Sequence, residues 1–86
     1  MNDSDLLPLA APTPGLYQHY KGGQYAVLGA ARHSETLESM TLYRALYGRR
    51  ELWVRPSAMF TETVQVDGRL QPRFERIGDL PPDAGI

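Results

Sequence analysis

Five side chains carry most of the chemistry this sequence can offer: Tyr17, His19 and Lys21 in the stretch Gly15–Tyr25, then His33 and Arg55. Alternation along an extended chain puts Tyr17, His19 and Lys21 on one side and Leu16, Gln18 and Tyr20 on the other. With Arg32 or Arg55 from a neighbouring strand, that trio would make an outward aromatic and basic patch. Such a patch stacks on bases or peptide side chains and pairs with phosphate or carboxylate. The competing reading has the tyrosines complete the edge of the core with their hydroxyls in water. His33-Ser34-Glu35 sets a base, a hydroxyl and a carboxylate side by side. A triad needs convergence in space, however, and neighbours on a strand point to opposite faces, so Ser34-Glu35-Thr36 reads as a turn. His33 with a glutamate is the pair a small enzyme would use. Two histidines without cysteine fall short of the three protein ligands of a catalytic zinc, so no metal site is expected. No cofactor is expected either, because Gly22-Gly23 beside Lys21 is followed by no helix and fits no phosphate-loop pattern.

The elements that must position these residues are short strands. Turn signals recur at Gly22-Gly23, Ser34-Glu35-Thr36, Gly48-Arg49-Arg50, Pro56-Ser57 and Asp67-Gly68. Leu16–Lys21 and Gln24–His33 read as a hairpin closed by a two-residue Gly-Gly turn, and Gly29 as a bulge or bend in its second arm. Residues 35–47 satisfy two patterns. Leu37, Met40, Tyr43 and Tyr47 lie at helical spacing, while Met40, Leu42 and Leu46 alternate with Thr41, Tyr43 and Tyr47 as in a strand, with Arg44 the polar intruder. The strand reading is preferred. Leu52–Pro56 is a strand stopped by proline, Ser57–Phe60 suits one helical turn, and Thr61–Val66 and Leu70–Ile77 flank the Asp-Gly hairpin signal. Trp53 reads as the anchor of the core. Arg55, two residues on and facing the same way, then needs Glu62 or Glu35 as a buried partner, or lines a pocket mouth and holds an anion.

A chain of 86 residues supports one domain with a small core. Its 42% hydrophobic and 22% charged content suits a folded globular protein rather than a disordered one. All nine lysines and arginines fall within residues 15–77 against six acidic residues, a net +3. Residues 1–14 and 78–86 hold only acidic charges and five of the seven prolines. The expected organisation is therefore a loose N-terminal tail over 1–14, a single β-rich domain over 15–77 and a loose C-terminal tail over 78–86. A net +3 is a thin basic footprint for a dedicated nucleic-acid binder. No apolar run approaches a membrane span, residues 1–14 lack the basic start of a signal peptide, and the absence of cysteine suits a reducing compartment. The expectation is a cytoplasmic protein without a membrane partner.

Beyond these patterns, whole words of the sequence resemble the small bacterial proteins catalogued as domain of unknown function 1653. They are Gly15-Leu-Tyr-Gln-His-Tyr-Lys-Gly22, Tyr25-Ala-Val-Leu-Gly29, Ala31-Arg-His-Ser-Glu-Thr36, Leu46-Tyr-Gly48, Trp53-Val-Arg-Pro56, Met59-Phe60 and Pro72-Arg-Phe74. In order, they span nearly all of residues 15–77. The resemblance implies a small β-rich domain with an SH3-like barrel, and it supplies neither an activity nor a catalytic residue.

The resulting expectation is an all-β domain, a small, partly open SH3-like barrel of about five strands with a helical turn at Ser57–Phe60. Its leading function is a non-catalytic binding module for a peptide, a nucleic acid such as a single strand, or a small anionic ligand, with Tyr17, His19, Lys21, His33 and Arg55 as candidate contacts. The alternatives are a small enzyme built on His33 and a glutamate, and a structural subunit, which would expose an apolar patch of more than a few hundred Å².

Overall fold

A strand sends successive side chains to opposite sides, and the pairing decides which side turns inward. The structure, a computed structural model, describes residue 6 and residues 8–85. The protein is all-β. In chain order the elements are β1 (Gly15–His19), β2 (Gln24–Arg32), β3 (Ser39–Ala45), β4 (Leu52–Pro56), the helical turn α1 (Ser57–Phe60), β5 (Thr63–Val66), β6 (Arg69–Pro72) and β7 (Phe74–Gly78). Five strands form one antiparallel sheet in the order β4-β3-β2-β1-β7, and β5 and β6 form a separate hairpin. The large sheet ends at β4 and β7 and does not close into a barrel.

The β1–β2 hairpin is present, but its turn is longer than the two glycines. Gln18 lies opposite Gln24 and the His19 N–H still donates to the Gly23 carbonyl at 2.7 Å, so residues 20–22 form the connection, with the Gly22 N–H donating to the His19 carbonyl at 2.7 Å. The cause lies outside the hairpin: the Tyr20 N–H turns away to the Arg73 carbonyl at 2.9 Å. In β2 the register against β3 shifts between Val27 and Gly29, which makes Leu28 the extra residue of a bulge where the glycine signalled one.

β3 is a strand, and its inward side is Thr41, Tyr43 and Ala45 rather than the side carrying Met40 and Leu42. Arg44 explains the choice. Its guanidinium lies on the other side, where it donates to the carbonyls of Ala84 at 3.0 Å and Gly85 at 3.2 Å, so it never enters the core. At the β5–β6 turn, Asp67 (φ 51°) and Gly68 (φ 78°) both take left-handed conformations and Val66 faces Arg69, the geometry that Asp-Gly favours. The segment 70–77 is two strands, not one. Arg73 is the junction: its N–H donates to the Glu62 carbonyl at 2.9 Å and its carbonyl accepts from Tyr20, which hands the chain from the small hairpin to the main sheet. The expected five strands thus become seven.

The core is aromatic. Tyr17, Val27, Tyr43, Phe60 and Phe74 pack together, with Phe60 delivered across the sheet by α1. Phe60 stacks on Phe74 and meets Tyr17 and Tyr43 edge-on at 5.6 and 5.4 Å. Such pairs contribute about 0.5–1.5 kcal/mol each beyond the area they bury. Trp53 is not the anchor. It is 53% exposed, because β4 is an edge strand with a neighbour on one side only, and Phe60 and Phe74 occupy the centre. Beneath α1 the Ser57 hydroxyl bonds those of Thr41 and Ser39, each at 2.8 Å, so the polar atoms buried there are satisfied.

Candidate ligand-binding cleft

The inner face of the sheet is not covered evenly. Along β3 and β4, Tyr43 lies opposite Trp53 and Thr41 opposite Arg55, and on β2 Tyr25 lies between Ala45 and Tyr17. Phe60 covers one part of this face. Beside it opens a cleft of about 410 Å³ with Tyr25, Tyr43, Tyr47, Trp53 and Arg55 on its walls and the 48–51 turn at its rim. That size falls within the range of small-molecule sites.

Tyr25 is the hub of the cleft. Its ring meets Tyr43, Tyr47 and Phe74 edge-on at 5.6, 5.6 and 5.4 Å, and its hydroxyl shares a hydrogen bond with that of Tyr47 at 2.5 Å. Burial, reinforced by this bond, pushes its hydroxyl up to about 12, so Tyr25 stays a neutral hydrogen-bonding group through the physiological range. Arg55 supplies the positive charge, with its guanidinium carbon 5.5 Å from the centre of the Phe74 ring. Neither expected carboxylate reaches it. Glu62 pairs with Arg73 at 3.2 Å, Glu35 sits exposed in the 34–36 turn, and among the described residues no carboxylate forms an ion pair with Arg55.

The trio expected to share an outward face is divided. Tyr17 is 6% exposed, donates from its hydroxyl to the Thr13 carbonyl at 2.6 Å, and belongs to the core; burial raises its pKa. His19 is half-buried on the same side, with its ring 4.5 Å from Tyr20 and 4.9 Å from Phe74. Its Nδ1 accepts the Lys21 N–H at 3.1 Å, which leaves the proton of the neutral ring on Nε2. Burial first, then the charges of Arg73, Arg55 and Lys21, hold its pKa below the ordinary 6.5. Lys21 lies exposed in the turn, its ammonium 5.7 Å from the centre of the Tyr20 ring. The outward patch therefore does not form. Phe74 instead joins His19 to Arg55, because both pack on its ring.

His33 is occupied elsewhere. Its Nδ1 accepts the N–H groups of Glu35 at 3.1 Å and Thr36 at 3.3 Å, ordering the turn after β2. It lies beyond the other end of β2 from His19, separated from it by the whole of that strand. Among the described residues no group of three or more His, Cys, Asp or Glu is placed to hold a metal ion, and no helix is long and apolar enough to cross a membrane.

Sequence reasoning found Arg55 and missed Tyr25, Tyr43, Tyr47 and Trp53 as a group. A signal was present. A tight Gly48-Arg49-Arg50 turn between two strands places the residues either side of it opposite one another, which brings Tyr43 to Trp53.

Residues 15–76 match the family described as protein of unknown function DUF1653. The chain belongs to this family. A crystal structure of a DUF1653 protein from Bordetella bronchiseptica is similar to it, with 39% sequence identity, a TM-score of 0.73, and coverage of 84% of this chain and 95% of that one. No curated protein matches the chain.

Proposed function

We propose that this protein is a non-catalytic binding module whose cleft takes a small ring-bearing anion, a nucleotide either free or as a unit of a single strand. One observation carries the reading: four aromatic side chains line one cleft together with Arg55, whose guanidinium has no carboxylate ion-pair partner among the described residues. Tyr47 and Trp53, both more than half exposed, offer ring faces for stacking, and Arg55 offers several N–H donors to a phosphate. The absence of cysteine supports a cytoplasmic setting for this activity.

The test uses Trp53, the sole tryptophan, as the reporter. Mononucleotides, short single-stranded RNA and DNA, and acidic peptides are titrated at low ionic strength while tryptophan emission is followed. Saturable quenching by nucleotides that weakens with salt, and is lost in Arg55→Ala, supports the reading. Binding by mononucleotides separates a free ligand from a strand unit. Quenching by acidic peptides alone, or by none of these ligands, overturns it.

A further inference from the structure

We infer that β4 is a self-association edge: two copies of this chain join their β4 strands antiparallel about a two-fold axis, with Leu52 opposite the partner's Val54 and Trp53 opposite the partner's Trp53. The inference stands independently of what the cleft binds.

The hydrogen-bonding parity of the strand comes first. The Ala45 N–H donates to the Glu51 carbonyl at 3.3 Å, so Glu51, Trp53 and Arg55 direct their backbone groups toward β3. Leu52, Val54 and Pro56 therefore direct theirs to the free side. Among the described residues no strand pairs with Leu52 and Val54 there, since β4 ends the sheet, while Pro56 serves as the N-cap of α1. Proline is placed where a strand tolerates it, with its missing N–H on the open edge.

The two edges of the sheet differ in their protection. β7 carries Glu75 and Arg76, both exposed, charges of the kind that keep edges apart. β4 presents Leu52, Trp53 and Val54 at 41%, 53% and 57% exposure with no charge among them. An edge with three consecutive exposed apolar residues and unpaired N–H and C=O groups is a template for another strand.

Self-complementarity selects the occupant and the register. With Leu52 opposite the partner's Val54, the two residues exchange both of their backbone bonds, and the two-fold axis repeats the pair, making four bonds in all. On the cleft side, Trp53 meets the partner's Trp53, and Arg55 meets the partner's Glu51, an opposite charge that no described residue of its own chain brings to it. On the other side, Leu52 and the partner's Val54 cover one another. The neighbouring symmetric registers are worse: centring the axis on Leu52 sets Trp53 opposite the partner's Glu51 and takes that carboxylate away from Arg55. Centring the axis on Val54 aims a Leu52 carbonyl at the partner's Pro56 nitrogen, which has no hydrogen to give. Moving it to Arg55 sets two guanidiniums face to face.

In the chosen register the two clefts become continuous, because Glu51, Trp53 and Arg55 line each of them. Arg55 has five N–H donors in a planar fork, so one side can hold the partner's carboxylate while the other faces a ligand. A contact of about five residues per strand makes a small interface, which sets a weak, concentration-dependent dimer in roughly the micromolar to millimolar range.

The experiment is sedimentation velocity of the full chain from roughly 10 μM to 1 mM, a range chosen for an interface of this size. It is repeated with Val54→Lys, Glu51→Arg, and the double variant Glu51→Arg/Arg55→Glu, each confirmed folded by its circular dichroism. The inference expects a monomer–dimer equilibrium in the unmodified chain, at least tenfold weaker association in Val54→Lys and in Glu51→Arg, and recovery in the double variant, where the charge pair is restored in reverse. A chain that stays monomeric at the highest concentration overturns it, as does a dimer indifferent to Val54→Lys, which would use another face. A dimer weakened by Val54→Lys but unchanged by Glu51→Arg overturns the register.

Discussion

Phe60 and Phe74 stack with ring centres 4.0 Å apart and planes 5° from parallel, joining the helical turn to the first residue of the last strand. Tyr17, Tyr25 and Tyr43 meet one or both of these rings, while Trp53 stands apart on the edge. Phe74→Ala is therefore expected to cost about 3–5 kcal/mol, the usual penalty for deleting a buried large aromatic. Trp53→Ala is expected to cost less than about 1 kcal/mol. Guanidinium denaturation at low protein concentration checks both, and equal shifts in midpoint would refute the placement of Trp53 at the rim.

Gly15 has no room for a side chain. A β-carbon there would lie 2.6 Å from Arg76 Nε and 2.8 Å from the Gly78 carbonyl oxygen. The arginine end can swing away, but the backbone oxygen cannot do so without disturbing the β1–β7 pairing. Gly15→Ala is expected to lower stability by about 1–3 kcal/mol, as overpacking does. An unchanged thermal midpoint would show that β7 yields easily.

Tyr25 sets an alkaline limit. Its pKa rises from 10.0 to about 12 in the folded protein, so the native state holds the phenolic proton more tightly than the unfolded chain. The stabilisation is complete below pH 10 and is lost as pH climbs through 12. Phenolate absorbance of the folded protein, compared with Tyr25→Phe, should show one fewer group titrating late in the variant. Tyr47→Phe should bring the remaining Tyr25 transition to lower pH, because it removes the hydroxyl hydrogen bond.

His19 works in the opposite direction. Its folded pKa is lowered from 6.5, so the unfolded chain binds the proton more readily. Stability is full above pH 6.5 and falls as the medium is acidified below it, until the folded ring itself protonates. An NMR titration of the two histidines should place the His19 midpoint below 6.5, and His19→Gln should flatten the stability profile on the acid side of pH 6.5. A midpoint above 6.5 would mean that a carboxylate, rather than burial and the charges of Arg73 and Arg55, governs the ring.

The local parts of this fold were readable wherever one residue type dictates one conformation. Asp67-Gly68 demanded a tight turn, Gly29 a bulge, Pro56 the end of a strand, and Ser57–Phe60 a helical turn, and each is a requirement of the backbone alone. The side of a strand that faces inward was harder to read. Met40 and Leu42 are more apolar than Thr41, yet Thr41 is buried, because a hydroxyl from Ser57, sixteen residues away, satisfies it. Trp53 misled for a related reason. Size predicts burial only if the strand has neighbours on both sides, and strand order is a property of the whole chain. The cleft depended on the same unknown: Tyr25, Tyr47 and Trp53 come together through pairing between strands, and nothing in their immediate surroundings announces it. Arg55 was found because an inward arginine poses a question on any strand.

Leu16 lies opposite Gly78 across the β1–β7 pair, so the polypeptide enters and leaves the sheet at the same place. A body whose ingress and egress adjoin can be spliced into a loop of a larger host without prising that loop apart. The same adjacency permits new termini to be cut at the Asp67-Gly68 bend and the old ones bridged by a short linker.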